Sequence, residues 1–356
     1  MERLNILSFG AGAIGTYIGG SLALANHQVV FVERPEVVDE LRQRGLRLDL
    51  SLDRRRRSKE RFILEPSAFV AVPGLEQAFE YGPFDVALFA LKSYDTVAAL
   101  ENILPFAAKM PPVLCLQNGV ENETAIEAVL GAGKVIPGTV TSSIGRRSAG
   151  DIVLEKLRGI GVAAGHPLTE RLVAALNEAY LNARLFPRAA DMKWSKMLTN
   201  LLGNATSAIL DLPPIRVFSH PGLYRLEMMQ LREALAVMSA QGIDVVDLPG
   251  TPVRMLAHLT DWPGILRPLA AAIIGGGRGR KMPSFHIDLH AGRGKSEVDW
   301  LNGAVVRTGE KAGVKTPVNR MLNETLLALT QAKVPLEAYR GKPQALLDTL
   351  SDYLSA

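Results

Sequence analysis

The sequence predicts an α/β domain built on a parallel sheet, followed by an all-helical domain, and three observations lead there. In the first half, short continuous apolar runs alternate with helical patterns, as strands covered on both faces do. After about residue 186 the strand signals stop, and the apolar residues recur at helical spacing. A glycine cluster at residues 10–15 stands between the first apolar run and the first helical pattern. The chain has 356 residues, so at roughly 100–200 residues per domain two are expected, 1–186 and 187–356.

Taken in order, Leu4–Phe9 reads as a strand and Ala13–Asn26 as a small-residue helix. Gln28–Val32 is β-branched and apolar, and Glu36–Arg44 has helical period. Further strands are expected at Val86–Ala90, Val113–Leu116 and Val135–Val140, with helices at Thr96–Leu104 and Glu123–Leu130. The stretch from Asp151 to Ala164 alternates strand character with glycines and suggests an antiparallel extension. In the second half Ala189–Leu210, Leu223–Gln241, Pro252–Leu259, Val298–Ala312 and Asn319–Gln331 read as helices. Gly313 and Pro317 separate the last two as a stop followed by a start.

Composition narrows the class. With 47% hydrophobic and 21% charged residues the chain can bury a large core, which excludes disorder. No apolar run approaches the roughly 18 residues of a membrane span; Leu269–Ile274 ends at glycines. The start carries no secretory pattern, and one cysteine, Cys115, permits no intrachain disulfide. A soluble cytoplasmic protein is expected, without membrane partners, and a homodimer stays open. Residues 1–185 carry 20 basic and 21 acidic side chains, whereas 186–356 carry 20 and 15, a net of +5 that suits a small anionic substrate. The basic run Arg54–Arg57, with Lys59 and Arg61, holds no aromatic residue on which a base could stack. It reads as a solvated hairpin tip, and no nucleic-acid partner is expected.

Gly10-Ala11-Gly12-Ala13-Ile14-Gly15 is a GxGxxG directly after a strand and opening a helix. The first glycine permits the tight turn, the second admits a pyrophosphate, and the third lets helix and strand pack closely. A helix start offers N–H groups and a positive dipole end to the phosphates. The pattern predicts a Rossmann-type dinucleotide-binding domain. At the end of the second strand an acid would bind the ribose hydroxyls of NAD, and an arginine would accept the 2′-phosphate of NADP. The chain supplies Glu33 and then Arg34, and the residues alone leave both cofactors open.

In the second half Lys196, Asn200 and Asn204 stand at i, i+4 and i+8 of one expected helix, and so share a face. An ammonium and two carboxamides so aligned could hold a keto acid; a solvated polar stripe would look the same. Ser284, Asp288, His290, Arg293, Lys295 and Glu297 form a second polar segment, each as readily a cap or a surface charge as a catalyst. His286 and His290 have metal-ligand spacing, but no partner cysteine or repeated histidine motif accompanies them, so no metal is expected.

Together these blocks resemble the ketopantoate reductase family over nearly the whole chain. The resemblance rests on the glycine turn, Leu91-Lys92, Leu116-Gln117-Asn118-Gly119, and Trp194-Ser195-Lys196-Met197-Leu198-Thr199-Asn200 with Asn204. It continues in Pro283-Ser284 with Asp288, in Gly292–Asp299, and in Leu301-Asn302-Gly303. It implies reduction of the ketone of 2-dehydropantoate to pantoate with NADPH, a step towards coenzyme A. It further implies Lys196 as proton donor, Asn200 and Asn204 on the substrate, and Ser284 on its carboxylate. Glu297 would sit at the cofactor and the catalytic lysine, Asn118 between nicotinamide and substrate, and Lys92 near the cofactor ribose. The chain departs from the family pattern at Glu33, where a small residue is usual, at Pro213-Pro214, and at Lys281. A related dehydrogenase acting on another 2-oxo or 3-hydroxy acid is one alternative, and a non-catalytic dinucleotide sensor another. For turnover, the residues support hydride delivery to a ketone whose oxygen takes a proton from Lys196.

Overall fold

The computed structural model describes residues 2–56, 61–261, 269, 271 and 281–355. Arg57 and Lys59 of the basic run, and most of the apolar run 269–274, lie outside them. The chain divides into two compact units: Met1–Gln117 with Glu121–Lys193 and Leu248–Thr251, and Asn118–Val120 with Trp194–Asp247 and Pro252–Ala356. The division falls after Lys193, inside the helix Ala189–Leu201, rather than at the expected 186/187 join.

In the first unit the strands are β1 (Asn5–Phe9), β2 (Gln28–Val32), β3 (Leu46–Asp49), β4 (Arg61–Leu64), β5 (Val70–Val72) and β6 (Val86–Phe89). They continue as β7 (Val113–Cys115), β8 (Val135–Val140), β9 (Ser143–Ser148), β10 (Asp151–Lys156), β11 (Ile160–Ala163) and β12 (Ala183–Phe186). One sheet has the order β12-β11-β8-β7-β6-β1-β2-β5. Its strands β5, β2, β1, β6, β7 and β8 are parallel neighbours, the Rossmann order, with the direction of winding reversing between β1 and β6. Of the expected antiparallel extension Asp151–Ala164, only β11 joins this sheet, antiparallel to β8, whereas β10 pairs with β3 and β9 instead. Successive residues of the central strands enter opposite cores: Ile6, Val29, Phe31, Leu88 and Leu114 on one face, and Leu7, Val30, Ala87, Phe89 and Cys115 on the other. Two covered faces explain why these strands read as unbroken apolar runs.

A second sheet, β4-β3-β10-β9, is what the sequence reading lacked. The basic run does lie between the paired strands β3 and β4, and Arg54, Arg55 and Arg61 are exposed as a solvated tip would have them, but Arg56 is not. Arg55 and Arg56 both pair with Asp53, and the Arg56 side chain is only 7% exposed. Arg56 also donates to Ala179 O at 2.5 Å and lies over the Tyr180 and Phe62 rings. A buried carboxylate and two aromatic faces draw the guanidinium out of water.

The second unit is helical. It takes over the helix Ala189–Leu201 at Trp194 and adds Ala205–Leu210, Pro214–Ser219, Pro221–Ala240 and Val253–His258. Ser284–His290, Val298–Ala312, Pro317–Thr330 and Pro343–Ser355 complete it among the described residues. Leu198, Leu201, Leu223, Leu231, Val305, Leu322 and Leu326 are among its buried side chains. The expected helix Ala189–Leu210 is two helices. Gly203, at φ +64°, takes a left-handed turn that ends the first, and the buried Glu227 carboxylate accepts its N–H at 2.7 Å. No helix among the described residues is long and apolar enough to cross a membrane.

Candidate active site

At the carboxyl ends of β1, β2 and β6 the first unit gathers the groups expected to meet a dinucleotide. Gly10, at φ +88°, turns the chain out of β1, and its N–H reaches Val32 O at 3.1 Å. A Cβ on Gly15 would stand 2.1 Å from Gly10 O, so only glycine lets the helix Ala13–Leu24 start this close to the strand. A Cβ on Gly12 would enter open space, the approach a pyrophosphate needs. No described side chain caps this helix, so the first-turn N–H groups of Ala13, Ile14 and Gly15 face the turn as donors. These features fit a dinucleotide's phosphates. Gly10 lies against Leu91, where a Cβ would meet Leu91 Cδ2 at 3.1 Å; half-buried Lys92 follows on the loop after β6.

At the end of β2 Glu33 does not turn outward to leave Arg34 alone toward the ribose, the arrangement that would favour NADPH. Glu33 Oε1 accepts the Ala11 N–H at 2.6 Å, and Oε2 accepts that of Arg34 at 3.2 Å. The Arg34 side chain is 70% exposed and pairs with Glu36 at 3.2 Å. The cause is local: an N–H of the tight turn faces β2, and a carboxylate is its strongest available acceptor. The Ala11 carbonyl is held as well, by Gly150 N–H at 2.9 Å and the Thr16 hydroxyl at 2.9 Å.

In the second unit a line of hydrogen bonds joins four of the expected substrate residues. Asn200 Nδ2 donates to Asn118 Oδ1 at 3.0 Å, and Asn204 Nδ2 donates to Asn200 O at 3.1 Å and to Ser284 Oγ at 3.4 Å. Asn204 Oδ1 accepts the Phe285 N–H at 3.1 Å, so this buried amide also ties the start of Ser284–His290 to the turn after Ala189–Leu201. The helix break therefore places Asn204 on a different element from Lys196 and Asn200, while keeping it bonded to Asn200. Lys196, half-buried, stands one turn before Asn200 on the same helix. Glu297, 2% exposed, is the N-cap residue of Val298–Ala312. Ser284 is exposed at the first turn of its helix.

Two supporting residues were missed. Lys193 is buried, forms an ion pair with Glu123 Oε1 at 2.6 Å, and donates to Gln117 O at 2.8 Å and Gly138 O at 3.3 Å. Burial opposes its charge, but the Glu123 carboxylate prevails and holds its pKa above the ordinary value. Gln117 Nε2 in turn donates to Leu91 O at 3.1 Å and to the Thr96 hydroxyl at 2.8 Å, fixing the loop after β6. A lysine among apolar neighbours three residues before Lys196 was the available signal. Periodicity marks it as inward-facing but cannot supply its partner, which is distant in sequence.

Comparison with known proteins adds a family. The model described as ketopantoate reductase PanE/ApbA matches residues 6–165, and that of its C-terminal domain matches 188–330. The 2-dehydropantoate 2-reductase of Archaeoglobus fulgidus is 26% identical over 333 residues, covering 90% of this chain and 96% of that protein. That of Streptococcus pyogenes serotype M1 is 23% identical over 330 residues, covering 90% and 95%. A crystal structure of a PanE/ApbA family ketopantoate reductase from Ralstonia eutropha is similar at a TM-score of 0.75 and 26% identity, over 92% of this chain and 99% of that one. D-mandelate dehydrogenase in a ternary structure with NADH and anilino(oxo)acetate shares the fold, with a TM-score of 0.73 at 21% identity, over 92% and 99%.

Proposed function

The chain belongs to the ketopantoate reductase family, oxidoreductases acting on CH–OH groups, and we propose that it reduces the ketone of 2-dehydropantoate to pantoate with NADPH. The observation that carries this reading is the line Asn118–Asn200–Asn204–Ser284 beside Lys196, a polar set of the kind a keto acid needs. A bound nicotinamide supplies the hydride. As the carbonyl carbon receives it, negative charge develops on the ketone oxygen; the Lys196 ammonium stabilises that charge and then donates the proton that completes the hydroxyl. Glu297 keeps that lysine charged and oriented, Asn200 and Asn204 hold substrate oxygens, and Ser284 meets the carboxylate. Asn118 would contact the substrate and the nicotinamide. Gly10, Ala11, Gly12, Ala13, Ile14 and Gly15 would hold a pyrophosphate, and Lys92 the ribose. We place the enzyme in the cytoplasm, where a lone buried Cys115 stays reduced.

A second reading concerns the cofactor. Glu33 faces the glycine turn, where a carboxylate accepts ribose hydroxyls and repels a 2′-phosphate; this favours NADH. Initial rates with NADPH and NADH against a panel of 2-oxo acids test both points. The expected result is the highest kcat/KM on 2-dehydropantoate. A higher value on another acid removes the substrate assignment, absence of turnover on every acid removes the enzyme assignment, and a NADPH-to-NADH ratio at or below unity makes Glu33 the selector.

A further inference from the structure

On the helix that Ser284 opens, the second unit brings together three metal-binding side chains to which the proposed reaction gives no role. His286 and His290 are four residues apart on Ser284–His290, so they share a face, and their ring centroids are 4.1 Å apart. Asp211, at the C-terminal end of Ala205–Leu210, faces both: its Oδ1 is 2.7 Å from His286 Nε2 and 4.0 Å from His290 Nε2. One ligand atom from each residue lies within 4.8 Å of the others. The sequence alone offered only two histidines and no third donor, and the fold supplies it.

We propose that Asp211, His286 and His290 form a site for a divalent transition metal, with Zn²⁺ the best-matched ion. Two neutral imidazoles and a carboxylate are the donor set of three-ligand zinc sites. Tetrahedral coordination at roughly 2.0–2.1 Å separates neighbouring ligand atoms by about 3.4 Å. The observed 2.7 and 4.0 Å bracket that edge, so small side-chain rotations close the site. An adjoining cavity of about 10 Å³, lined by Asp211, His290 and Arg340 among others, has room for about one water as fourth ligand. Arg340 Nε holds the other carboxylate oxygen, Oδ2, at 2.9 Å, which orients Asp211 and leaves Oδ1 to the metal. The guanidinium charge lowers affinity for a cation, and the anionic carboxylate offsets it. A bound ion would fasten the end of Ala205–Leu210 to the helix that begins at Ser284.

The test does not depend on turnover. Full-length protein stripped with a chelator is titrated with ZnCl₂ by calorimetry, and with CoCl₂ for the visible absorption of tetrahedral cobalt. One equivalent bound per chain, a tetrahedral cobalt band, and a rise in Tm with Zn²⁺ are expected. His290→Ala, a change at an exposed side chain, should weaken binding at least about tenfold, and Asp211→Asn likewise. Absence of saturable binding to the wild-type chain overturns the proposal, as does a His290→Ala variant that binds as tightly as wild type.

Discussion

Replacing Lys193 by methionine removes one charge from a pair that water barely reaches. The Lys193 side chain is 6% exposed and that of Glu123 14%, with Nζ 2.6 Å from the carboxylate. Methionine fills most of the volume but leaves that carboxylate unpaired, and the Gln117 and Gly138 carbonyls lose a donor. Breaking one side of such a pair costs about 3–5 kcal/mol. At a urea slope of about 3 kcal/mol/M, this lowers the midpoint of the affected transition by about 1–1.7 M. Glu123→Gln added to Lys193→Met removes the stranded charge and should restore more than half of the loss. Because the folded-state pKa of Lys193 lies above its ordinary 10.5, the pair's contribution is complete below about pH 10.5. It is lost as pH rises through the folded value, so the gap between wild type and variant should be flat from pH 6 to 9 and close in strong alkali. A single-variant loss under about 1 kcal/mol, or a double variant no more stable than the single, would refute the buried-pair argument.

Other outcomes follow from the same geometry. Lys196→Ala should lower kcat by about 10²–10⁴-fold while leaving cofactor affinity, measured by fluorescence titration, nearly unchanged; near wild-type kcat would remove the proton-donor role. Glu33→Ala should raise the NADPH-to-NADH ratio of kcat/KM about tenfold or more, since a carboxylate facing the ribose no longer opposes a phosphate; an unchanged ratio would show that Glu33 serves only the Ala11 amide. Asp53→Asn should cost about 1–3 kcal/mol in urea melts at neutral pH. Burial pushes the Asp53 pKa up, but the Arg55 hydrogen bond and the two arginine charges outweigh it and leave it below 3.8. That contribution is therefore full above about pH 3.8 and fades as pH falls through the folded value, so equal acid sensitivity of wild type and variant would contradict it.

The parallel sheet was legible because its strands are buried on both faces, and continuous apolar runs such as Val86–Phe89 are what that burial selects. The dinucleotide turn was legible because its requirement is local: Gly15 is needed where a Cβ would meet the backbone oxygen of Gly10, five residues earlier in a known motif. The second sheet was not, since β3 is only four residues long and β9 carries two arginines and a glycine among its six residues, which leaves no clean periodicity. Nor was the break at Gly203, because one glycine inside an apolar helical pattern is compatible with an unbroken helix. What decides it is Glu227, a partner 24 residues away that satisfies the freed N–H. By itself the sequence determined the two-part architecture and the glycine turn, both set by local pattern and spacing, whereas local pattern left Lys196, Asn200, Asn204 and Ser284 open and only the family resemblance gave them roles. Only the tertiary structure decided that Glu33 turns to the Ala11 amide, that Arg56 and Lys193 are buried in pairs, and that Asp211 meets His286 and His290. Side-chain direction at a strand end, and the partner of a buried charge, depend on groups far along the chain that no local period encodes.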